Sequence, residues 1–221
     1  METDKTLNLK KGMHVSLIGM SGSGKSHWSM KLEEVGFRRF CCDDMITARL
    51  GHELKSSDGC VMDLAEWMGF PYEPDYRRNE AKYLSCEIEV MREIMSYIER
   101  NENASSENIV VDTTGSAIYT GKAILSQLRK LTTILYLNSP PAVHAKMLKK
   151  YISNPRPVLW RQFFNPLPGE THKASLARCY PLLLSDRVKQ YQRLADVTLD
   201  CYWPDEDNFS LNDLLKTIAS G

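Results

Sequence analysis

Apolar positions along the chain follow two alternating periods. Five short runs read as strands: HVSLIG (14–19), FRRFCC (37–42), NIVVDT (108–113), TILYLN (133–138) and DVTLD (196–200). Three of them are nearly continuous in apolar residues, as strands buried on both faces tend to be. Helical patterns separate them. Trp28, Leu32 and Val35 share one face, and Gly36 supplies a stop. Leu84, Ile88, Met91, Met95 and Ile98 recur at spacings of four, three, four and three, the clearest amphipathic helix in the chain. Ser139 and the two prolines after it open a helix that runs through Val143, Met147 and Tyr151. Leu211, Leu214, Leu215 and Ile218 form a short final helix. Strands alternating with helices predict an α/β domain with a parallel sheet covered on both faces. Ligands of such sheets bind beyond the carboxyl ends of the strands, so the residues there are the first to inspect.

One stretch breaks the pattern. Residues 153–173 carry four prolines and several aromatics but little helical signal. Irregular segments of this length inside a domain are usually functional or disordered. From Lys146 to Pro168 there are three lysines, two arginines and no acid. The segment reads as a basic lid over 150–175, mobile until ligands bind.

Composition narrows the class. The 221 residues, with 43% hydrophobic and 25% charged, suit one soluble globular domain spanning 1–221 with a polar tail at 1–12. Basic and acidic residues balance at 28 each, so nothing in the charge calls for a nucleic-acid partner. The first dozen residues lack the apolar core of a signal peptide, and no run approaches a membrane span. The six cysteines form no C-x-x-C pair and read as reduced, mostly buried thiols of a cytoplasmic protein. The five histidines show no metal spacing. A monomer is the default.

The first strand runs into GMSGSGKS, Gly19 to Ser26, which matches G-x-x-x-x-G-K-[ST] with a strand before it and a helix after it. Glycines let the backbone curl until consecutive N–H groups point at phosphate oxygens. The helix that begins near Lys25 adds its positive end. Gly19, Ser21, Gly22, Ser23, Gly24, Lys25, Ser26 and His27 are therefore the nucleotide-binding candidates. Lys25 neutralises the β and γ phosphates, and Ser26 ligates Mg²⁺. ATP and Mg²⁺ are the expected cofactors.

Two acids follow the second strand, Asp43 and Asp44. One can orient or deprotonate an acceptor hydroxyl while the other assists Mg²⁺ through water; equally, they can cap the next helix. Asp112 closes the third strand as a Walker-B acid does; equally, the stretch reads as a strand-to-helix turn capped by Thr or Ser. Thr114, Gly115 and Ser116 after it are small enough for a ligand to approach the backbone. Trp28 and Trp67 fall in helical patterns and read as core, whereas Trp160 reads equally as core or ligand contact.

Taken together, these motifs resemble the shikimate kinase family of small P-loop kinases. FCCDD puts Asp43 at the family's acceptor-binding aspartate. YRRNE is similar to the family's F-R-x-x-E, which implies that Arg77 binds a carboxylate with Glu80 beside it. TTGSA stands where the family has a glycine-rich turn. RPVL matches the lid motif and makes Arg156 its catalytic arginine. RVKQY puts Arg187 at a second carboxylate-binding position, and Lys149 stands near the adenine. The resemblance covers residues 13 to about 200 and implies a five-stranded sheet of order 2-3-1-4-5, an acceptor-binding subregion at 44–105 and a lid at 150–175. It also implies phosphorylation of a small carboxylated polyol, shikimate first, with Lys25, Asp43 and Arg156 catalytic and Ser26, Asp44 and Asp112 near the metal. Departures from the family pattern border the acceptor pocket. Cys41 replaces the first acid of D-x-D, Thr114 and Ser116 add side chains to the glycine turn, and residues 58–76 are long and aromatic. Other acceptors therefore stay open (a gluconate-like sugar acid, a nucleotide or a polynucleotide 5′ end), as does a nucleotide-binding regulatory protein without turnover.

Overall fold

The computed structural model describes residues 12–55, 60–101, 106–153, 157–200 and 209–219. The strands are β1 (His14–Ile18), β2 (Phe37–Cys41), β3 (Asn108–Asp112), β4 (Thr133–Asn138) and β5 (Val197–Asp200). They form one sheet of order β2-β3-β1-β4-β5, parallel at every junction, as expected. The helices are α1 (Lys25–Glu34), α2 (Cys42–Arg49), α3 (Leu64–Met68), α4 (Tyr76–Asn101), α5 (Lys122–Leu131), α6 (Pro141–Ser153), α7 (His172–Leu194) and α8 (Leu211–Ala219).

Side chains alternate across a strand, so each central strand feeds two cores. Val15, Leu17, Val110, Leu135 and Leu137 pack on one face, against Trp28 and Leu32 of α1 and Leu214, Leu215 and Ile218 of α8. Ile18, Ile109, Val111, Ile134 and Tyr136 face the other way, onto α2, α4, α5 and α7. Trp28 and Trp67 are core residues, as their helical positions predict.

Register decides what meets at the strand ends. Leu17 and Cys41 both lie opposite Asp112. The loop after β1, the turn after β3 and the start of α2 therefore converge on one edge of the sheet.

Two elements differ from the sequence pattern. Helix α7 contains Pro181, which hides a 23-residue helix from a reading that treats proline as a breaker. The buried stripe of α4 in its first half is Tyr76, Glu80, Tyr83 and Glu87; Leu84 and Ile88 are only half-buried. The apolar period holds from Val90 onward.

The segment expected to be a mobile lid is packed in part: 158–160 are buried, while most of 161–174 is exposed. Helix α6 extends to Ser153 and α7 starts at His172, which leaves a strap over 157–171 among the described residues. Val158, Leu159 and Trp160 of the strap are buried, and Trp160 has no exposed surface. Its indole N–H donates to the Tyr151 hydroxyl at 3.0 Å, and its ring packs against Phe164 and Tyr180 with centroids 5.5 and 5.6 Å away. The strap backbone is also tied down. The Trp160 N–H donates to the Tyr76 hydroxyl at 2.7 Å and the Arg161 N–H to Glu80 Oε1 at 2.8 Å. Prolines remove helical hydrogen bonding but do not prevent burial, and the aromatic content supplies the apolar area. Arg156 lies outside the described residues.

Truncating Trp160 tests this packing. Trp160→Ala should cost about 3–5 kcal/mol of unfolding free energy, the usual range for a fully buried tryptophan. Urea denaturation measures it. A loss below about 1 kcal/mol would restore the mobile-lid description.

Candidate functional site

A cavity of about 870 Å³ opens at the carboxyl edge of the sheet. One wall is the loop after β1. Gly19 adopts φ +147°, and a Cβ there would stand 2.7 Å from the Leu137 carbonyl oxygen and 2.8 Å from Ser23 Oγ. Only glycine fits so tightly. Gly24 precedes α1 in the left-handed region at φ 94°, which turns the chain into the helix. Lys25 is buried, and its ammonium donates to the carbonyls of Gly19 and Met20 at 2.9 Å each. Those bonds hold the loop curled around its own lysine. Desolvation lowers the Lys25 pKa, and the charges of Asp43 and Asp112 oppose that shift. Ser21, Gly22, Gly24, Ser26 and His27 also line the cavity, while Ser23 is buried behind them.

Asp43 faces this loop from the first turn of α2, whose N-cap position is Cys41. It is exposed, with Lys25, Asp112 and Tyr83 around its carboxyl. Desolvation raises its pKa, and the Lys25 charge pulls it back. The Tyr83 hydroxyl donates to Asp43 Oδ1 at 3.3 Å. A carboxylate with a raised pKa, one donor and an open side is suited to take a proton from a bound hydroxyl.

The turn after β3 completes the floor. Thr114, Gly115 and Ser116 line the cavity. A Cβ on Gly115 would stand 3.4 Å from both Arg187 Nη1 and the Ser21 nitrogen, so the small residue lets arginine and phosphate loop close together. Behind the turn lies Glu87, with no exposed surface. The Thr114 hydroxyl donates to Glu87 Oε1, and the Ser116 hydroxyl donates to Glu87 Oε2 at 2.9 Å. Burial pushes the Glu87 pKa up to about 7, against the pull of those two bonds.

The arginines do not pair as the resemblance implied. Arg187 is buried in the cavity wall, gives Nη2 to the Leu159 carbonyl at 2.9 Å, and lies 5.5 Å from the Tyr119 ring centroid. Its Nε is buried without a hydrogen-bond partner among the described residues. Arg77 is exposed on the outer face of α4 and does not line the cavity. The helix turns Tyr76 and Glu80 inward instead, and both hold the strap. The Tyr76 hydroxyl lies 2.8 Å from both Glu80 Oε1 and the Val158 carbonyl, so its one proton goes to one of two acceptors at a time. The YRRNE motif is thus an anchor for residues 158–161.

Other expected positions also shift. Lys149 is exposed away from the cavity, which Lys146 and Lys150 line from the same helix. Asp112 is buried and pairs with Arg39 Nη2 at 3.0 Å, with the Ser29 hydroxyl 3.0 Å from the same oxygen. Asp44 is exposed and off the cavity wall. The Cys41 thiol, pushed up to about 11 by burial, brings no charge in place of the missing acid. Ser26 and Asp43 remain as cavity-lining oxygens. That set suits a Mg²⁺ ion that takes most of its ligands from phosphate and water. Among the described residues no three His, Cys, Asp or Glu side chains gather as a metal site.

Sequence reasoning missed Tyr83, Glu87, Arg39, Lys146 and Lys150. A signal for two of them existed. Tyr76, Glu80, Tyr83 and Glu87 stand at spacings of four, three and four, on the stripe that Val90 and Ile94 continue. Polar residues interrupting a buried stripe are candidates for a site.

No protein-family model matches the chain, and no curated protein matches its sequence. Solved structures do. The shikimate kinase from Acinetobacter baumannii in complex with shikimate matches with TM-score 0.57 at 18% identity, over 96% of this chain and 92% of that one. The shikimate kinase from Bacteroides thetaiotaomicron gives 0.56 at 16%, over 94% and 97%. TT1252 from Thermus thermophilus gives 0.51 at 16%, over 94% and 96%. The chain has the P-loop kinase fold seen in shikimate kinases. No described helix is long and apolar enough to cross a membrane.

The buried Glu87 sets a pH dependence of stability. Its folded pKa of about 7 stands above the ordinary 4.5, so the folded protein keeps a proton that the unfolded chain releases. The associated stability is complete below pH 4.5 and is lost as pH rises through about 7. At about 1.4 kcal/mol per pKa unit the loss is on the order of 3 kcal/mol. Urea denaturation at pH 5 and pH 8 should show this decline in the wild type and a much smaller one in Glu87→Gln. Equal declines would show that Glu87 does not titrate there.

Proposed function

We propose that the protein transfers the γ-phosphoryl group of ATP to a hydroxyl of a small polyhydroxylated acceptor. One observation carries this reading: Lys25, in its phosphate loop, and Asp43, with its raised pKa, face each other across a single cavity. The loop N–H groups and the first turn of α1 bind the triphosphate, and Lys25 leaves its carbonyl partners for the phosphates. Ser26 would hold Mg²⁺, with Asp43 reaching it through water; the ion neutralises phosphate charge. Asp43 accepts the proton of the acceptor hydroxyl, held in place by Tyr83. The new oxygen–phosphorus bond forms as the bond from phosphorus to the bridging oxygen of ADP breaks. Protein chemistry is minor in such transfers, and positioning with charge stabilisation supplies the rate. Arg187 lines the cavity with its buried Nε unpaired among the described residues, and is the described arginine suited to an anion there.

Shikimate is one named acceptor to test, beside uncharged polyols. Its support is Asp43 and Arg187, since Arg77 stands outside the cavity. The roles of Arg156 as a catalytic arginine and of the strap as a closing lid rest on the family resemblance.

ADP release with shikimate, gluconate, myo-inositol and nucleosides tests the reading. At least one should raise ATP consumption above the acceptor-free rate. Asp43→Asn should lower that turnover by about 10²–10⁴-fold, the usual contribution of a general base, with ATP affinity little changed. Undiminished turnover in this variant would remove Asp43 from the mechanism. ATP binding without turnover on any acceptor would favour a regulatory nucleotide-binding protein.

A further inference from the structure

The acceptor side of the cavity has a feature that the phosphotransfer reading does not use. Thr114 and Ser116 both line the cavity and both have their hydroxyls against the Glu87 carboxyl. A hydroxyl has one proton, and an ionised carboxylate only accepts. The two hydroxyl oxygens also stand 2.9 Å apart, so with Glu87 ionised each proton has an acceptor in the Glu87 carboxylate or the neighbouring hydroxyl, and neither is left for the cavity. The Ser116 N–H also donates to Thr114 Oγ1 at 3.0 Å, which fixes that oxygen further. What faces a ligand is lone pairs.

We propose that Glu87 is a specificity-determining positioning residue: by taking both hydroxyl protons from behind, it makes the Thr114–Ser116 wall a hydrogen-bond acceptor surface. Such a wall selects an acceptor substrate that presents hydroxyl hydrogens there and disfavours one that presents a carboxylate. The inference rests on the proposed function only in taking this cavity as the acceptor's seat. It accounts for the side chains at 114 and 116. The Thr114 hydroxyl takes up the Ser116 N–H, so the turn offers side-chain oxygens where that donor would stand.

Glu87 can be switched, because burial holds its pKa near neutrality. The groups that act on it come from every element around it. Asp43 and Cys42 of α2 and Tyr83 of its own helix surround it, Arg187 and Tyr191 reach it from α7, and the two hydroxyls come from the turn. A protonated Glu87 donates to one hydroxyl, whose own proton then turns toward the cavity. The wall becomes mixed, and the bias against a carboxylate weakens.

Calorimetric titration of the full chain tests this with two probes, myo-inositol and shikimate, at pH 6 and pH 8, with and without a non-hydrolysable ATP analogue. Heat from the analogue alone tests the nucleotide site, so failure of the kinase reading is recorded separately. In the wild type at pH 8 myo-inositol should bind more tightly than shikimate. That ratio should fall by about tenfold at pH 6, the scale of one reversed hydrogen bond to a charged group. Glu87→Gln, whose amide donates to one hydroxyl at any pH, should show the low ratio at both pH values. Should that variant not fold, Ser116→Ala decides: it removes one acceptor and should weaken myo-inositol several-fold more than shikimate. A wild type that prefers shikimate at pH 8, a ratio unchanged by pH and by both variants, or failure of both probes to bind would each overturn the proposal.

Discussion

The parallel pairing of β1 between β3 and β4 is the constraint on which the site depends. Leu17 stands opposite Asp112 and Ile18 opposite Tyr136, so the chain leaves the central strand beside the ends of its neighbours. Gly19 must turn at once, with the Leu137 carbonyl too close for any side chain. The same register delivers the Thr114–Gly115–Ser116 turn beneath the phosphate loop and starts α2 with Asp43 across from Lys25. A one-residue slip would reverse every inward side chain and move each loop off the edge.

Around this edge the molecule buries many polar groups, and most are matched. Lys25 meets two carbonyls, Asp112 meets Arg39 and Ser29, Glu80 meets Tyr76 and the Arg161 N–H, and Glu87 meets two hydroxyls. Buried polar atoms cost little when paired and several kcal/mol when not, on the order of 1–3 kcal/mol per unpaired group. The exceptions among the described residues are Arg187 Nε, the Ser23 hydroxyl of the phosphate loop, the Tyr119 hydroxyl and His144 Nε2, which have no hydrogen-bond partner. An unmatched donor in the cavity wall is a group that a ligand can satisfy. Folding and the cavity are served separately along α4 and α7. Tyr76 and Glu80 hold the strap, Tyr83 and Glu87 serve the floor, and Arg187 does some of each.

Much of the fold was legible in the chain alone. Near-continuous apolar runs and the helical periods between them specified the three central strands and the parallel class, because burial on both faces leaves a local pattern; the part-buried edge strands β2 and β5 carried a weaker one. GMSGSGKS specified its own loop, since glycine spacing, lysine and flanking elements form one local object. Asp43 and the small-residue turn were legible as positions, because both follow directly from strand ends. What the chain could not show was which face of a helix looks inward. Arg77 and Tyr76 are adjacent, and about 100° of helical rotation puts one in solvent and the other against the strap. That rotation is set by packing against α2 and the strap, which are distant in sequence. The same holds for Lys149 against Lys146 and Lys150, and for Trp160, whose burial needs Tyr151, Phe164 and Tyr180 to assemble around it. Glu87 carried only a faint mark, a charge on a stripe that turns apolar one turn later. Its effect on two hydroxyls 27 and 29 positions away exists only once β3 has paired with β1. Local sequence determines elements and the loops bound to them; tertiary packing decides which polar side chains meet, and here that meeting shapes the floor of the cavity.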